Sequence, residues 1–284
     1  MEQNMDRIFI PTLFRANNQI SYNHLPPKLQ KKTTLVVQAW EKKKYSSEYD
    51  LLVLPRKINI HDDYLCLAKT REIIHKEGKN TKYVMMDDDL TFKRRNAKYW
   101  TGVSDMEKSK RDCTNSDVNQ MFSLFTKWLD EPDVSFVSPS HEENPPLKKS
   151  YSSNSSCCSC VGFNGKDFAH ILKELPTSEI KYAEDTLLYL TLLSLGYGNR
   201  ISTQFCAKNH SVATSSLPDT VWDMTRQRDV DRDHKFIEKR FPEFYKILCN
   251  EDGSRVRGGF RDFGKVSVKY SQCYKVNQKQ RMSA

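Results

Sequence analysis

The sequence predicts an α/β protein: a single Rossmann-type mixed sheet flanked by helices, followed by a helical and basic C-terminal extension. Short β-favouring runs recur between polar or helical stretches, as in a wound sheet. Residues 51–90 read strand, helix, strand, the crossover unit of a parallel sheet. The apolar run Tyr83-Val84-Met85-Met86 stops abruptly at Asp87-Asp88-Asp89-Leu90, as expected of a buried parallel strand whose C-terminal end opens onto the surface.

With 284 residues the chain can bury a full core, and one large domain with an appended tail is the simplest division. Hydrophobic residues make up 38% and charged residues 29%, polar for a globular protein but outside the disordered range. The net charge of +9 fits a polyanionic partner, and equally fits solvated lysine faces. No apolar run approaches the roughly 20 residues of a membrane span, and no signal peptide precedes the first strand. The expectation is a soluble, cytoplasmic protein without a membrane partner. Eight cysteines, several inside apolar segments, read as reduced thiols.

In chain order, Arg7-Ile8-Phe9-Ile10-Pro11 is a first strand, and Thr12-Leu13-Phe14-Arg15 leaves the sheet as a loop. A hydroxyl and a guanidinium there can contact a nucleotide; surface decoration is the plainer reading of Arg15 taken alone. After a polar segment to Lys32, Thr33–Val37 and Leu51–Pro55 give two further strands. A helix follows over His61–Lys76, with Asp62 and Asp63 near its positive N-terminus and Tyr64, Leu67, Ala68, Arg71 and Ile74 as its inward stripe. Arg71 on that stripe either pairs with a core carboxylate or reaches an anionic ligand. Gly78-Lys79-Asn80 ends the helix.

Three neighbouring acids repel one another, so a cation is the natural partner that lets them ionise together. Asp87-x-Asp89 puts two carboxylates on one side of an extended chain. The competing reading is a solvated acidic turn. Next, Phe92–Trp100 reads as a basic, aromatic loop suited to phosphates and bases, with Lys93, Arg94 and Arg95 at its centre. Ser116-Asp117 caps an amphipathic scaffold helix, and Val134–Pro139 is a strand leading to a loop that carries His141. Residues Ser140–Ser156 read as a mobile loop or lid. Cys157, Cys158 and Cys160 lack the paired spacing of a structural zinc site and fit a buried strand continuing through Phe163.

Glu184-Asp185 opens a helix that is apolar nearly all round and closed by Gly196. Helix capping accounts for one acid and leaves the second unexplained. A strand over Arg200–Ala207 follows, with His210 just beyond. From Ser216 onward, aromatic and charged residues suggest helices packed on the sheet, and Arg255, Arg257 and Arg261 begin a basic tail able to follow a phosphate backbone.

The first-strand loop, the Asp-x-Asp, the Glu-Asp pair opening a buried helix and the late histidine, in that order, resemble a metal-dependent GT-A glycosyltransferase. Ala68-Lys69-Thr70-Arg71 before Met86-Asp87-Asp88-Asp89-Leu90, with the compact length, is similar to bacteriophage glycosyltransferases that decorate hydroxymethylpyrimidines in DNA. The resemblance covers roughly residues 7–215 and implies a catalytic domain over 1–215 with an extension over 216–284. It implies Asp87, Asp89 and His210 as ligands of Mn²⁺ or Mg²⁺, and Thr12, Arg15, Arg71, Asp87 and Asp88 at the nucleotide-sugar donor, a UDP-sugar. Asp185 and Glu184 then face the acceptor, with Asp185 as the base of an inverting reaction, or as an orienting group if configuration is retained. The implied partner is double-stranded DNA with modified bases, the acceptor being 5-hydroxymethylcytosine, a related base or a sugar already on it; Lys93, Arg94, Arg95, Arg255, Arg257 and Arg261 are the expected DNA contacts. If the chain is phage-encoded, its compartment is the host cytoplasm. Two alternatives stand beside this reading: transfer to a glycan or lipid-linked acceptor, and DNA binding on an inactive transferase fold.

Overall fold

The computed structural model describes residues 5–58, 66–96, 109–144, 149–167, 180–181, 183–210, 225–252, 254, 256 and 265–282, the side chains of 66, 225–229 and 277–282 excepted. Its strands are β1 (Arg7–Pro11), β2 (Thr33–Val37), β3 (Asp50–Val53), β4 (Lys82–Met86), β5 (Leu90–Arg95), β6 (Lys110–Asp112), β7 (Val134–His141), β8 (Tyr151–Ser153), β9 (Cys160–Asn164), β10 (Gly198–Asn209), β11 (Tyr245–Ile247) and β12 (Val266–Val268). The helices are α1 (Ile20–His24), α2 (Pro27–Gln30), α3 (Cys66–Glu77), α4 (Asn115–Trp128), α5 (Glu184–Ser194), α6 (Thr225–Arg240) and α7 (Tyr270–Met282).

One mixed sheet runs β3-β2-β1-β4-β9-β7-β10-β5-β6, with β8 also on β10. Strands β1, β2, β3 and β4 pair in parallel, as do β7 and β10. Strand β9 is antiparallel to both β4 and β7, so those two point the same way. The consequence is functional: the C-terminal ends of β1, β2, β4, β7 and β10 all reach one edge, where open α/β sheets bind ligands.

Side-chain alternation divides the core between the two faces. Ile8, Ile10, Val84 and Met86 face α4, where Phe122, Phe125 and Trp128 complete one cluster. Phe9, Tyr83 and Met85 face the other way, against Ile74 of α3 and Leu187–Leu193 of α5. That second cluster also takes in Ile237, Phe241, Tyr245, Cys273 and Tyr274, so one apolar core continues through both sides of the expected 215/216 boundary. Helix α5 is covered all round, which its nearly unbroken apolar sequence requires. It stops where Gly196 takes the left-handed conformation, φ 79°, that closes such helices.

Several sequence expectations are corrected here. The described part of the helix expected from His61 is α3, which begins at Cys66; residues 59–65 lie outside the described residues. Its buried stripe runs through Ala68, Ile74 and His75, while Leu67 is 43% exposed, one position off the inward face. The cap of α4 is Thr114, in a reciprocal capping box with Asp117, rather than Ser116-Asp117. Strand β9 starts at Cys160, leaving Cys157 and Cys158 in the buried approach to it. The described part of the stretch expected as a basic loop, Phe92 to Asn96, is largely strand β5, and the loop expected from Ser140 contains the end of β7 and all of β8; residues 97–108 and 145–148 lie outside the described residues.

Candidate active site

Strand β4 delivers the three aspartates to the ligand-binding edge as a tight turn into β5. A single fully buried side chain, Ser21 of α1, holds that turn: its Oγ donates to the Asp87 carbonyl (2.6 Å) and accepts from the Leu90 amide (2.7 Å). The Ser21 amide donates to the Asp88 carbonyl at 3.1 Å, and the Asp87 amide to the Ser159 carbonyl at 2.9 Å. These bonds pin the backbone of the turn, and the carboxylates are left to face their surroundings.

Two arginines answer them. Arg15 Nη1 donates to Asp88 Oδ1 at 2.8 Å and Arg15 Nη2 lies 3.5 Å from Asp89 Oδ2. Arg71 Nη1 pairs with Glu184 Oε1 at 2.7 Å and Nη2 lies 3.9 Å from Asp87 Oδ1. Arg15 thus bridges Asp88 and Asp89, and Arg71 ties Asp87 to the acid that opens α5. Compensation is incomplete: burial pushes the Asp88 carboxyl up to about 6 against the opposing pull of Arg15, with Asp89 and Asp87 adding to the rise. Burial likewise raises Asp87 against Arg71, and raises Glu184 to about 6. Burial alone would lower Arg71, but Glu184, Asp87 and Asp185 outweigh it and keep the guanidinium charged.

Beside this cluster the ends of β1 and β2 form a cradle. Thr12 is buried, with its hydroxyl accepting from Gln19 Nε2 at 3.1 Å. Phe14 adopts φ 59°, a conformation costly for a bulky side chain, and its amide donates to the buried Glu41 carboxylate at 2.9 Å. The strain places its ring 5.3 Å from the half-exposed Trp40. A cavity of about 400 Å³ opens between Phe14, Arg15, Asn18, Glu41 and Lys44, and one of about 310 Å³ adjoins Trp40, Gln38 and Arg56. Aromatic rings at one end and Arg15 at the other suit a planar base joined to phosphates.

A second strained residue stands opposite. Ala183, φ 56°, turns the chain into α5 and presents Glu184 and Asp185. Asp185 Oδ1 accepts from the Thr186 amide at 2.6 Å. Asp185 also lines a recess of about 90 Å³ with Arg71, Asp87, His141, Cys157 and Ser159. The sheet edge therefore offers a nucleotide-shaped cradle on one side and a small acidic recess on the other, with the aspartate turn between them.

The residues expected to hold metal divide. Asp87 and Asp89 are hard oxygen donors on one turn, and the burial-raised Asp87 carboxyl gains from any added positive charge, so the pair fits a divalent cation. The His210 amide donates to the Asp89 carbonyl at 2.8 Å, which brings the histidine to the turn, while its Nε2 lies 2.7 Å from Thr91 Oγ1. Among the described residues no three His, Cys, Asp or Glu side chains form a ready-made ligand group.

The basic stretch is placed otherwise than expected. On strand β5 Lys93 and Arg95 share one face and Arg94 takes the other. Lys93 Nζ is 2.7 Å from Glu142 Oε1. Arg95 is only 4% exposed: Nη1 donates to Ser140 Oγ (2.9 Å), and Nη2 to the carbonyls of His141 (2.9 Å), Glu142 (3.3 Å) and Asn144 (2.6 Å). Its guanidinium is committed to these internal acceptors. Arg94 Nη1 donates to Asp117 Oδ1 (2.6 Å) and Gln120 Oε1 (2.8 Å) and keeps more exposure, 37% of its side chain. Arg255, Arg257 and Arg261 lie outside the described residues. Sequence reasoning missed Ser21 and Trp40 and left His141 without a role; their positions at or beside strand ends on the ligand edge were the available signal for Trp40 and His141.

A family model described as TET-Associated Glycosyltransferase matches residues 7–196. No curated protein matches the chain. Among solved structures, similarity is found to a Staphylococcus aureus TarS fragment in complex with UDP (10% identity, 83% of this chain and 71% of that one, TM-score 0.42). It is also found to glucosyl-3-phosphoglycerate synthase from Mycobacterium tuberculosis, in complex with Mn²⁺, UDP and phosphoglyceric acid (11%, 79% and 75%, TM-score 0.39). A third is mannose-1-phosphate geranyltransferase from Thermus thermophilus (9%, 71% and 75%, TM-score 0.39).

Proposed function

The chain belongs to the TET-associated glycosyltransferase family, and from that premise we propose that it moves a sugar from a nucleotide-diphosphate sugar, a UDP-sugar in the first instance, to a hydroxyl on a modified base of DNA. The acceptor in this reading is 5-hydroxymethylcytosine, a related base, or a sugar already attached to one. The observation that carries it is the aspartate turn at the sheet edge, bound by Arg15 and Arg71 and facing Asp185 across the recess.

The roles follow from position. Trp40 and Phe14 take the nucleotide base, and Thr12 lines the approach to the ribose. Arg15 and Arg71 take the phosphates, to which a guanidinium fork is matched in shape. Asp87 and Asp89, with His210 adjacent, hold a divalent cation such as Mn²⁺ or Mg²⁺. When bound, that cation supplies positive charge to the departing diphosphate. Asp185 removes the proton of the acceptor hydroxyl as its oxygen bonds to the anomeric carbon, and the bond from that carbon to the diphosphate oxygen breaks, its electron pair leaving with the nucleotide. Glu184 holds Arg71 in place rather than reacting, because its carboxylate already pairs with that guanidinium. DNA is drawn by the net positive charge of the chain and by Arg94 at the surface.

The test is mass spectrometry of nucleosides recovered after incubating hydroxymethylated duplex DNA with a panel of nucleotide sugars and Mn²⁺. A mass gain of one glycosyl residue on the modified nucleoside is expected. Donor hydrolysis with no transfer to DNA from any donor moves the acceptor to a glycan or lipid-linked sugar, and DNA binding with no use of any donor moves the chain to an inactive fold.

A further inference from the structure

Strand β7 ends at the same edge as β4, and the residue it delivers there is His141. The main chain around it is tied down to an unusual degree for a strand-end turn. The buried Arg95 holds the carbonyls of His141, Glu142 and Asn144, and the Glu142 amide donates to the Ala207 carbonyl at 3.0 Å. Lys93 and Lys110 both lie within ion-pair reach of Glu142, at 2.7 and 3.7 Å. The imidazole is left out of all this: among the described residues it has no hydrogen-bond partner, and it lines the recess that also contains Asp185 and Asp87. A buried guanidinium committed to the backbone of an edge turn, with a polar ring projecting from that turn into a recess, is the arrangement of a preorganised contact.

We propose that His141 is a catalytic residue that touches the acceptor, its ring hydrogen-bonding the hydroxyl that receives the sugar and aiming that oxygen between Asp185 and the donor, with Arg95 as the residue that positions it. This rests on the glycosyltransferase reading above. The charge environment agrees. Burial lowers the His141 pKa below its ordinary value against the upward pull of Glu143 and Asp185, and the neutral ring keeps one N–H to donate to the hydroxyl oxygen, leaving that hydroxyl's own proton to Asp185. Aim matters because a small displacement of a reacting atom costs far more rate than binding.

The experiment compares wild type, His141→Ala and His141→Asn on a duplex oligonucleotide carrying 5-hydroxymethylcytosine, with the donor that wild type uses, measuring acceptor KM and kcat and, by calorimetry, the donor Kd. His141→Ala is expected to lower kcat/KM for the acceptor at least about tenfold, the usual scale for a lost polar contact. Its donor Kd stays within about twofold, the thermal midpoint of the variant stays that of wild type, and His141→Asn, which keeps an N–H donor, recovers most of the loss. Wild-type acceptor kinetics in His141→Ala, or an equal loss of donor affinity in both variants, overturns the inference and leaves the glycosyltransferase reading standing. Absence of transfer by wild type from every nucleotide sugar overturns that reading and this inference with it.

Discussion

The acidic turn Asp87–Asp89 and the basic run Lys93–Arg95 are separated by only three residues, Leu90, Thr91 and Phe92, and their charges end in opposite circumstances. The acids sit past the end of a parallel strand, where Ser21 pins their turn and their carboxylates share two arginines. The bases lie along a strand, where alternation sends Lys93 and Arg95 to one neighbouring loop and Arg94 to the capping acid of α4. A charge cluster at a strand end has nowhere to be absorbed; one within a strand meets partners on both faces. The same kind of signal in the sequence therefore marks a candidate site in one case and construction in the other.

Three outcomes test this contrast, and the largest falls on the acidic side. Asp89→Asn is expected to reduce sugar transfer by about 100-fold or more, together with metal-supported nucleotide binding, because it removes a full charge from the turn; its far-ultraviolet circular dichroism and melting profile stay those of wild type. Transfer at the wild-type rate in the presence of chelator would remove the acids from the chemistry.

On the basic side the effect is on the fold. Arg95→Ala leaves the part-buried carbonyls of His141, Glu142 and Asn144 without their donor, and a loss of about 2–3 kcal/mol in urea unfolding is expected. Arg94→Ala is the counterpart on the other face, and it costs about 1 kcal/mol or less because Arg111 still holds Asp117. Its mark is instead on DNA: the salt dependence of binding should become shallower by about one counterion. Equal and small stability losses at the two positions would erase the distinction drawn between them.

The smallest effect separates the acids by pH. Asp88 is raised from its ordinary value to about 6 and so binds its proton more readily in the folded state than in the unfolded one. The stabilisation this gives is complete at low pH and is lost as pH rises through about 6. Between roughly pH 4 and 6 the wild-type melting temperature should therefore fall relative to Asp88→Asn, measured in parallel scans. A gap between the two proteins that does not change across that interval would contradict the assignment.

How far the sequence reached can be read from the same residues. The mixed sheet, the aspartate turn and the buried helix α5 were all visible, because each couples an unbroken apolar run to an abrupt change: acids after Met86, Glu184-Asp185 before Leu187, Gly196 after Leu195. Strand β5 reads as loop in the sequence because Lys93, Arg94 and Arg95 carry no apolar alternation, and the partners of Lys93 and Arg94, Glu142 and Asp117, lie tens of residues away. Ser21 gave no signal at all, since one serine in a polar segment acquires meaning only when the fold sets it under the turn. Trp40 lay just past a recognised strand and His141 at the end of another; what was missing was the knowledge, supplied by the antiparallel β9, that β7 points the same way as β4.

The arginines that neutralise the aspartates in the unliganded protein are the same groups assigned to the donor phosphates, and this has a thermodynamic consequence. On the proposed reading, a diphosphate that draws Arg15 away would leave Asp88 and Asp89 uncompensated, while a cation on Asp87 and Asp89 would bring positive charge back to the turn. The cation would lower the cost of binding the diphosphate, so their affinities would be linked through a shared coupling free energy, and by reciprocity the donor would tighten the metal by the same factor as the metal tightens the donor. The diphosphate alone must compete with an ion pair already formed at 2.8 Å. The exchange would make the acid end a two-key lock, opened by cation and nucleotide together.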